Sequence, residues 1–322
     1  MTPRPVTVVP PATSSPLEHQ VAGFLAEKRA KGLSPATRRM YADVLDEVLL
    51  PYCRREGITE PQQITKAVLN QLSAALLDGS RTRSGKALSK ASVASYARTI
   101  NVFLGWLERA GEAGSARVEK PRPTKKVIET LSRADIKALE DGAATERDKL
   151  IVRILGDSGM RISEMLGMST DAVQERPGRR WFLKVLGKGD KERLVPIQPG
   201  FATRLQRYIH RTRKCAPSDV IFLGNRRSPR TGCYEPFTAS GAEQMIHDLG
   251  ETVLHRRVYP HLFRHSFITE CARQGMPQTV CAQIVGHENL AMIHEIYTHL
   301  NESDAHEAMM AALSKADTRS RS

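Results

Sequence analysis

Apolar residues recur at spacings of three and four along most of the chain, the signature of helices that bury one face. In the first third, Val21, Phe24 and Leu25 predict a helix over Leu17–Lys31, ended by Gly32. Ser34 followed by Pro35 reads as an N-cap with proline in the first turn, opening a second helix that carries Tyr41, Val44, Leu45 and Val48. Val68, Leu69 and Leu72 mark a third over about Thr65–Leu77. Ser89 caps a fourth whose stripe is Val93, Tyr96, Ile100, Phe103, Leu104 and Leu107. The second half mixes periods. Ser132 caps a helix through Leu139, and Glu146–Gly156 reads as another. Trp181–Leu186 and Glu192–Ile197 then read as two strands of a hairpin around Gly187-Lys-Gly-Asp190. Helices are expected again over Phe201–Arg213, Ser240–Leu249, His261–Gln274, Pro277–Val285 and Ala291–His299.

The stretch Gly111–Thr130 breaks this patterning. Two prolines among charges in Glu119–Lys126 suit an extended linker. The division that follows is a flexible arm at 1–14, a helical domain at 15–112, a linker at 113–130, a mixed domain at 131–300, and a C-terminal helix and tail at 301–322. In that tail Ala305, Ala308, Met309, Ala312 and Leu313 form a small-residue stripe, which suits either packing on the chain's own domain or docking on a neighbour.

Charge narrows the function. Forty-eight Lys and Arg against 35 Asp and Glu give a net +13, which favours a polyanionic partner, because neutralised phosphates release counterions. No run approaches the roughly 20 apolar residues of a membrane span, and Met1–Ser15 lacks the basic start and apolar core of a secretory signal. A cytoplasmic location and no membrane partner are therefore expected. The five cysteines, Cys53, Cys215, Cys233, Cys271 and Cys281, make no C-x-x-C pair and no zinc spacing, so they read as reduced packing residues. The loop Asp78–Lys90 carries Arg81, Arg83, Lys86 and Lys90, which suit either a solvated linker or a phosphate backbone.

Four local patterns carry the candidate chemistry. They are Gly159-Met-Arg161-Ile-Ser-Glu164, Gly187-Lys188-Gly-Asp-Lys191-Glu-Arg193, His261-Leu-Phe-Arg264-His265, and Gly286-His287 followed by Tyr297-Thr-His299. Guanidinium is always charged and offers a planar fork matched to phosphate, so Arg161 and Arg264 suit an anionic transition state. Glu164, one helical turn after Arg161, is placed to hold it. His261 and Arg264 share a face at the start of a helix after Pro260. The glycines around Lys188 do not fit a phosphate-binding P-loop, since their spacing differs and no Ser or Thr follows the lysine.

In this order and at these separations, the motifs resemble those of the tyrosine recombinase, or phage integrase, family across nearly the whole second half, and the helical first part resembles that family's core-binding domain. The resemblance implies an α+β catalytic domain, mostly helical with a small β-sheet. It also implies an N-terminal all-α SAM-like core-binding domain and a C-shaped clamp around DNA. It assigns Tyr297 as nucleophile, Arg161, Arg264 and His287 to the scissile phosphate, and His261 to the nucleophile's proton. Lys188 becomes the general acid with Lys191 as fallback, Glu164 the support for Arg161, and His265 a structural neighbour or second candidate. Arg81, Arg83, Lys86, Lys90, Lys191 and Arg193 are the expected DNA contacts. No metal or other cofactor is expected. The implied partners are duplex DNA with specific recombination sites and further copies of the chain, a tetramer in the synapse and a monomer or weak oligomer when free. His287 and Tyr297 lie ten residues apart, one more than in many relatives, which tilts the reading towards a mobile element over a housekeeping role. Two rivals stay open at this level: a topoisomerase-like enzyme that nicks and reseals one duplex, and a DNA-binding protein without catalysis.

Overall fold

The structure is a computed structural model that describes residues 15–80, 85–121, 129–187 and 191–286, together with Ile293, His294, Tyr297, Met309 and Met310. The 1–14 arm, Arg81, Arg83, Lys188, His287, most of the helix expected at Ala291–His299 and nearly all of 301–322 lie outside the described residues. The chain divides into two compact units between Val127 and Ile128.

The first unit is all helical: α1 (Pro16–Ala30), α2 (Pro35–Val44), α3 (Leu50–Arg55), α4 (Lys66–Asp78) and α5 (Lys90–Arg109). Ser15 caps α1 in a capping box with Glu18, Ser34 and Ser89 cap α2 and α5 as expected, and Thr65, expected inside the third helix, caps α4. Phe24, Leu45, Leu49, Leu69, Phe103 and Leu107 meet in one core. The second expected helix runs further than its pattern suggested, because a π turn at Leu45–Leu49 joins α2 to α3. Pro51 explains the π turn: it has no N–H for the carbonyl four residues back, and the preceding turn widens so that Leu50 N–H reaches Leu45 O. The start of the expected linker is also not a solvated strand. Asn101 on α5 both accepts from Val118 N–H at 2.8 Å and donates to Val118 O at 3.0 Å, and Val118 is buried. That pairing satisfies a backbone group that composition alone assigns to water.

The second unit packs helices around two small sheets. Its elements are α6 (Arg133–Gly142), α7 (Glu146–Ser158), α8 (Ile162–Leu166), β1 (Val173–Arg176), β2 (Arg180–Leu186), β3 (Glu192–Ile197), α9 (Pro199–Arg207), β4 (Leu223–Arg227), β5 (Tyr234–Pro236), α10 (Ala239–Leu249), α11 (Pro260–Arg273) and α12 (Gln278–Val285). β2 and β3 pair antiparallel with Trp181 opposite Ile197 and Leu186 opposite Glu192, and β1 adds on the far edge of β2. Sequence patterning misses β1, whose four residues are half to fully exposed and carry no apolar alternation. It misses the β4–β5 ribbon for the same reason. Leu150, Ile151, Leu155, Leu183, Val185, Val195, Phe222 and Phe263 form the core. The unit is thus mostly helical with small antiparallel sheets, as the resemblance implied. No helix among the described residues is long and apolar enough to cross a membrane.

Candidate active site

Helix α7 ends at Gly159, which sits at φ +57°, where a side chain would be strained. A Cβ there would also lie 2.7 Å from the Phe267 ring on α11. Glycine therefore lets α7 and α11 approach until Gly159 O accepts from Arg264 Nη1 at 2.7 Å. Two residues on, Arg161 is the N-cap of the short α8, and Glu164 reaches back to it. Glu164 Oε1 accepts from Arg161 Nη1 at 2.8 Å and Oε2 from Arg161 N–H at 3.0 Å. Burial alone pushes the Glu164 carboxyl up. Hydrogen bonds from Arg193 and from the Arg161 backbone outweigh it and hold the carboxyl below its usual value. Glu164 is thus an ionised buried anchor.

Three consecutive carbonyls at the C-terminus of α12 are claimed by three arginines. Arg193 Nε donates to Ile284 O at 2.9 Å, Arg264 Nη1 to Val285 O at 2.8 Å, and Arg161 Nη1 to Gly286 O at 3.4 Å. A helix end leaves these carbonyls without intrahelical partners, and its dipole favours cations there. The same guanidinium groups that converge on the site thereby fix the turn leading to His287.

Arg264 is 5% exposed, yet its Nη2 is buried with no hydrogen-bond partner among the described residues. Burial first, then repulsion from Arg161, lowers its pKa to about 10. Such a group is short of one acceptor, and an anion is the acceptor that would also neutralise the repulsion. Arg161, His261, Arg264 and Tyr259 line one cavity of about 510 Å³, with Ser240, Glu243 and Arg257 on its other walls. His261 occupies the first turn of α11, after Pro260, and is exposed. His265 is half-buried, and burial lowers its pKa, which keeps the ring neutral at physiological pH.

Tyr297 is held elsewhere. Its hydroxyl donates to Met276 O at 3.0 Å, in the connection between α11 and α12, and its ring packs against the buried cluster that contains Phe267, Ile268, Cys281 and Ile293. Burial first, and the adjoining Cys281 second, raise its pKa above the ordinary tyrosine value, so the phenol is neutral at physiological pH. Attack on a phosphate requires this hydroxyl to leave the Met276 carbonyl and give up its proton.

The sequence-predicted DNA contacts divide. Lys86 and Lys90 are exposed, Lys90 as the first residue of α5. Lys191 is exposed just before β3, and its carbonyl accepts from Gly187 N–H at 2.8 Å. Arg193 is different: its side chain is 14% exposed, and Nη2 donates to Glu164 Oε2 at 2.7 Å. Its guanidinium faces inward, towards the anchor of Arg161. Sequence reasoning also missed the buried Arg147–Asp148 pair, in which Arg147 stacks 3.8 Å from the Phe237 ring and donates to Leu223 O. It missed as well the hydrogen bond between the Cys271 and Cys281 thiols beside Tyr297. The two cysteines lie ten residues apart on neighbouring helices, which no spacing rule links.

The model of the phage integrase family matches residues 123–304. The tyrosine recombinase XerD of Pseudomonas aeruginosa is 29% identical over 286 residues, covering 84% of this chain and 88% of its own length. The tyrosine recombinase XerC of Vibrio parahaemolyticus is 29% identical over 314 residues, covering 94% and 93%. Among solved structures, the XerH site-specific recombinase bound to palindromic difH substrate, in a post-cleavage complex, aligns over 90% of this chain and 83% of its own at TM-score 0.64 and 17% identity. The Tn1549 transposon integrase in complex with a circular intermediate DNA aligns over 92% and 100% at TM-score 0.65 and 17% identity. At such identities these two structures bear on the fold.

Proposed function

The chain belongs to the phage integrase family, and from that premise we propose how its own residues carry out the site-specific cleavage and rejoining of DNA by a tyrosine recombinase. Tyr297 Oη attacks the scissile phosphorus and forms a 3′-phosphotyrosyl bond, while the bond to the 5′ oxygen breaks. His261 takes the phenol proton, and Lys188 gives a proton to the departing 5′ oxygen. Arg161, Arg264 and His287 neutralise the non-bridging oxygens as negative charge builds there. A 5′ hydroxyl from the partner duplex reverses the step, so the bond energy is kept through a Holliday junction without ATP. The observation that carries this reading is the unpartnered Nη2 of Arg264, buried beside Arg161 in a cavity that His261 also lines. Covalent capture on a nicked suicide duplex tests it: the nick lets the 5′ fragment diffuse away, so rejoining fails and the protein–DNA adduct accumulates.

The substrate in this reading is duplex DNA with specific recombination sites, held by both units, and the enzyme is cytoplasmic and nucleoid-associated. Lys86, Lys90 and Lys191, with Arg81 and Arg83, contact phosphates. Affinity for site DNA should fall about 10³- to 10⁵-fold between roughly 50 and 200 mM salt if about six to ten phosphates are neutralised. Equilibrium binding across a salt series measures this, and a flat series would reject the charge-based contact.

The free chain is a monomer or weak oligomer, and four copies assemble on two sites, with the segment Glu302–Ser314 docking on a neighbour. Met309 in that segment is helical and 59% exposed, an apolar side chain facing solvent. Ending the chain after Asn301 should leave single-site binding intact and remove the four-copy complex, as read by light scattering on paired sites. Full assembly of the shortened chain would place the interface elsewhere.

A further inference from the structure

Arg193 was read from the sequence as one more contact to the DNA backbone. Its surroundings point to another use. The side chain starts on β3, at the strand's second residue, and crosses to two elements far away in the sequence. Nη2 meets Glu164 Oε2 at 2.7 Å, and Nε meets Ile284 O at 2.9 Å. Beyond Ile284 the chain turns at Gly286, φ +69°, where a Cβ would stand 2.7 Å from Arg193 Cζ. The backbone at Gly286, just before His287, therefore packs close against the Arg193 guanidinium. A Cβ on Gly187, the residue before Lys188, would stand 3.5 Å from Arg193 Nη1. One planar group thus borders the backbone on the approach to both residues.

We propose that Arg193 is a positioning residue for DNA cleavage: it locks the β2–β3 hairpin and the C-terminus of α12 to the Glu164–Arg161 pair. The proposal rests on the roles given above to Arg161, Lys188 and His287, and adds the element that registers them against one another. Glu164 explains why arginine is used. Its two oxygens receive three donors, two from Arg161 and one from Arg193, so the buried carboxylate ties α8 to β3 through charge-assisted hydrogen bonds. A lysine offers no planar fork to reach Glu164 and the Ile284 carbonyl together. A guanidinium 14% exposed, with Nε turned to Ile284 and Nη2 to Glu164, presents little surface to a phosphate. Misplacing a reacting group by about 1 Å costs on the order of 100-fold in rate, which sets the expected size of the effect.

The test compares full-length wild type, Arg193→Met and Arg193→Lys on a nicked suicide duplex carrying the recombination site from DNA flanking the gene. Three quantities are read: affinity, single-turnover cleavage, and cleavage of the same duplex with sulfur at the 5′ bridging position. A thiolate leaves without a proton, so the sulfur substrate does not need the general acid. Arg193→Met should cleave about 100-fold more slowly while affinity changes less than about threefold. Its sulfur-to-oxygen rate ratio should rise about tenfold over wild type, since the hairpin bearing Lys188 has lost its register. Arg193→Lys should recover about a tenth of the wild-type rate and, being the milder change, serves if the methionine variant does not fold. The proposal is overturned if affinity and cleavage fall together with a shallower salt dependence, for then Arg193 contacts phosphate. It is also overturned if either variant cleaves like wild type, or if the sulfur-to-oxygen ratio stays fixed. Absence of any adduct with wild type would instead strike the parent reading of Tyr297.

Discussion

Replacing Tyr297 with phenylalanine removes the covalent protein–DNA band on a nicked suicide duplex, lowering cleavage at least about 10⁴-fold while site binding persists, because the variant lacks only the attacking oxygen. The hydroxyl's bond to Met276 O accounts for about 1 kcal/mol of stability, and the ring keeps its packing against the cluster of Phe267, Ile268 and Ile293. Phenylalanine therefore folds as tyrosine does, and lost cleavage is not lost structure. A denaturing gel run beside a binding assay reads both. One other tyrosine has the position to compete. Tyr259 is 36% exposed and lines the cavity with Arg161, His261 and Arg264. An adduct that survives Tyr297→Phe but vanishes in Tyr259→Phe would reassign the nucleophile. Loss in Tyr297→Phe alone would mean that the docked phenol travels, leaving the Met276 carbonyl when DNA binds.

Local rules explain why the helices of the first unit were readable. Ser15, Ser34, Thr65 and Ser89 each sit directly before an apolar stripe and each accepts a backbone N–H in the structure. The hairpin was equally legible, since β2 and β3 alternate around a glycine-bounded turn. Where a pattern is short and polar, as in β1, or where a proline alters a turn, as at Pro51, periodicity carries no signal. The candidate site was legible as a set of residue types in order. Of its internal bonding only the Arg161–Glu164 pair, three residues apart, could be read; the other contacts span distant sequence: Arg264 to Gly159 across 105 residues, Arg193 to Ile284 across 91, Arg193 to Glu164 across 29. Arg193 shows the consequence. In a one-dimensional reading it is one cation among several on a basic hairpin, and only folding reveals the buried carboxylate that turns it inward.

Arg264→Gln and Arg264→Lys should both lower the cleavage rate about 10²- to 10³-fold, and the lysine variant should recover little despite keeping the charge. Arg264 spends Nη1 on Gly159 O and Val285 O, which leaves Nη2 as the donor without a partner. Lysine carries one nitrogen on a flexible stem, so it either satisfies those two carbonyls or turns to a phosphate. The depressed pKa supplies a second, independent readout. A cation whose folded pKa is lowered to about 10 is penalised in the folded state at every pH below that value, by an amount of a few kcal/mol at most. An anion in the cavity relieves the penalty. Sulfate, or duplex site DNA, should therefore raise the thermal midpoint of wild type at neutral pH, and raise that of Arg264→Gln by distinctly less. If the two proteins gained equally, the unpartnered Nη2 would not be the seat of the anion, and the cleavage defect would need another cause. A lysine variant that cleaved near the wild-type rate would likewise show that charge alone suffices, and that the planar fork bridging α7, α11 and α12 is structural.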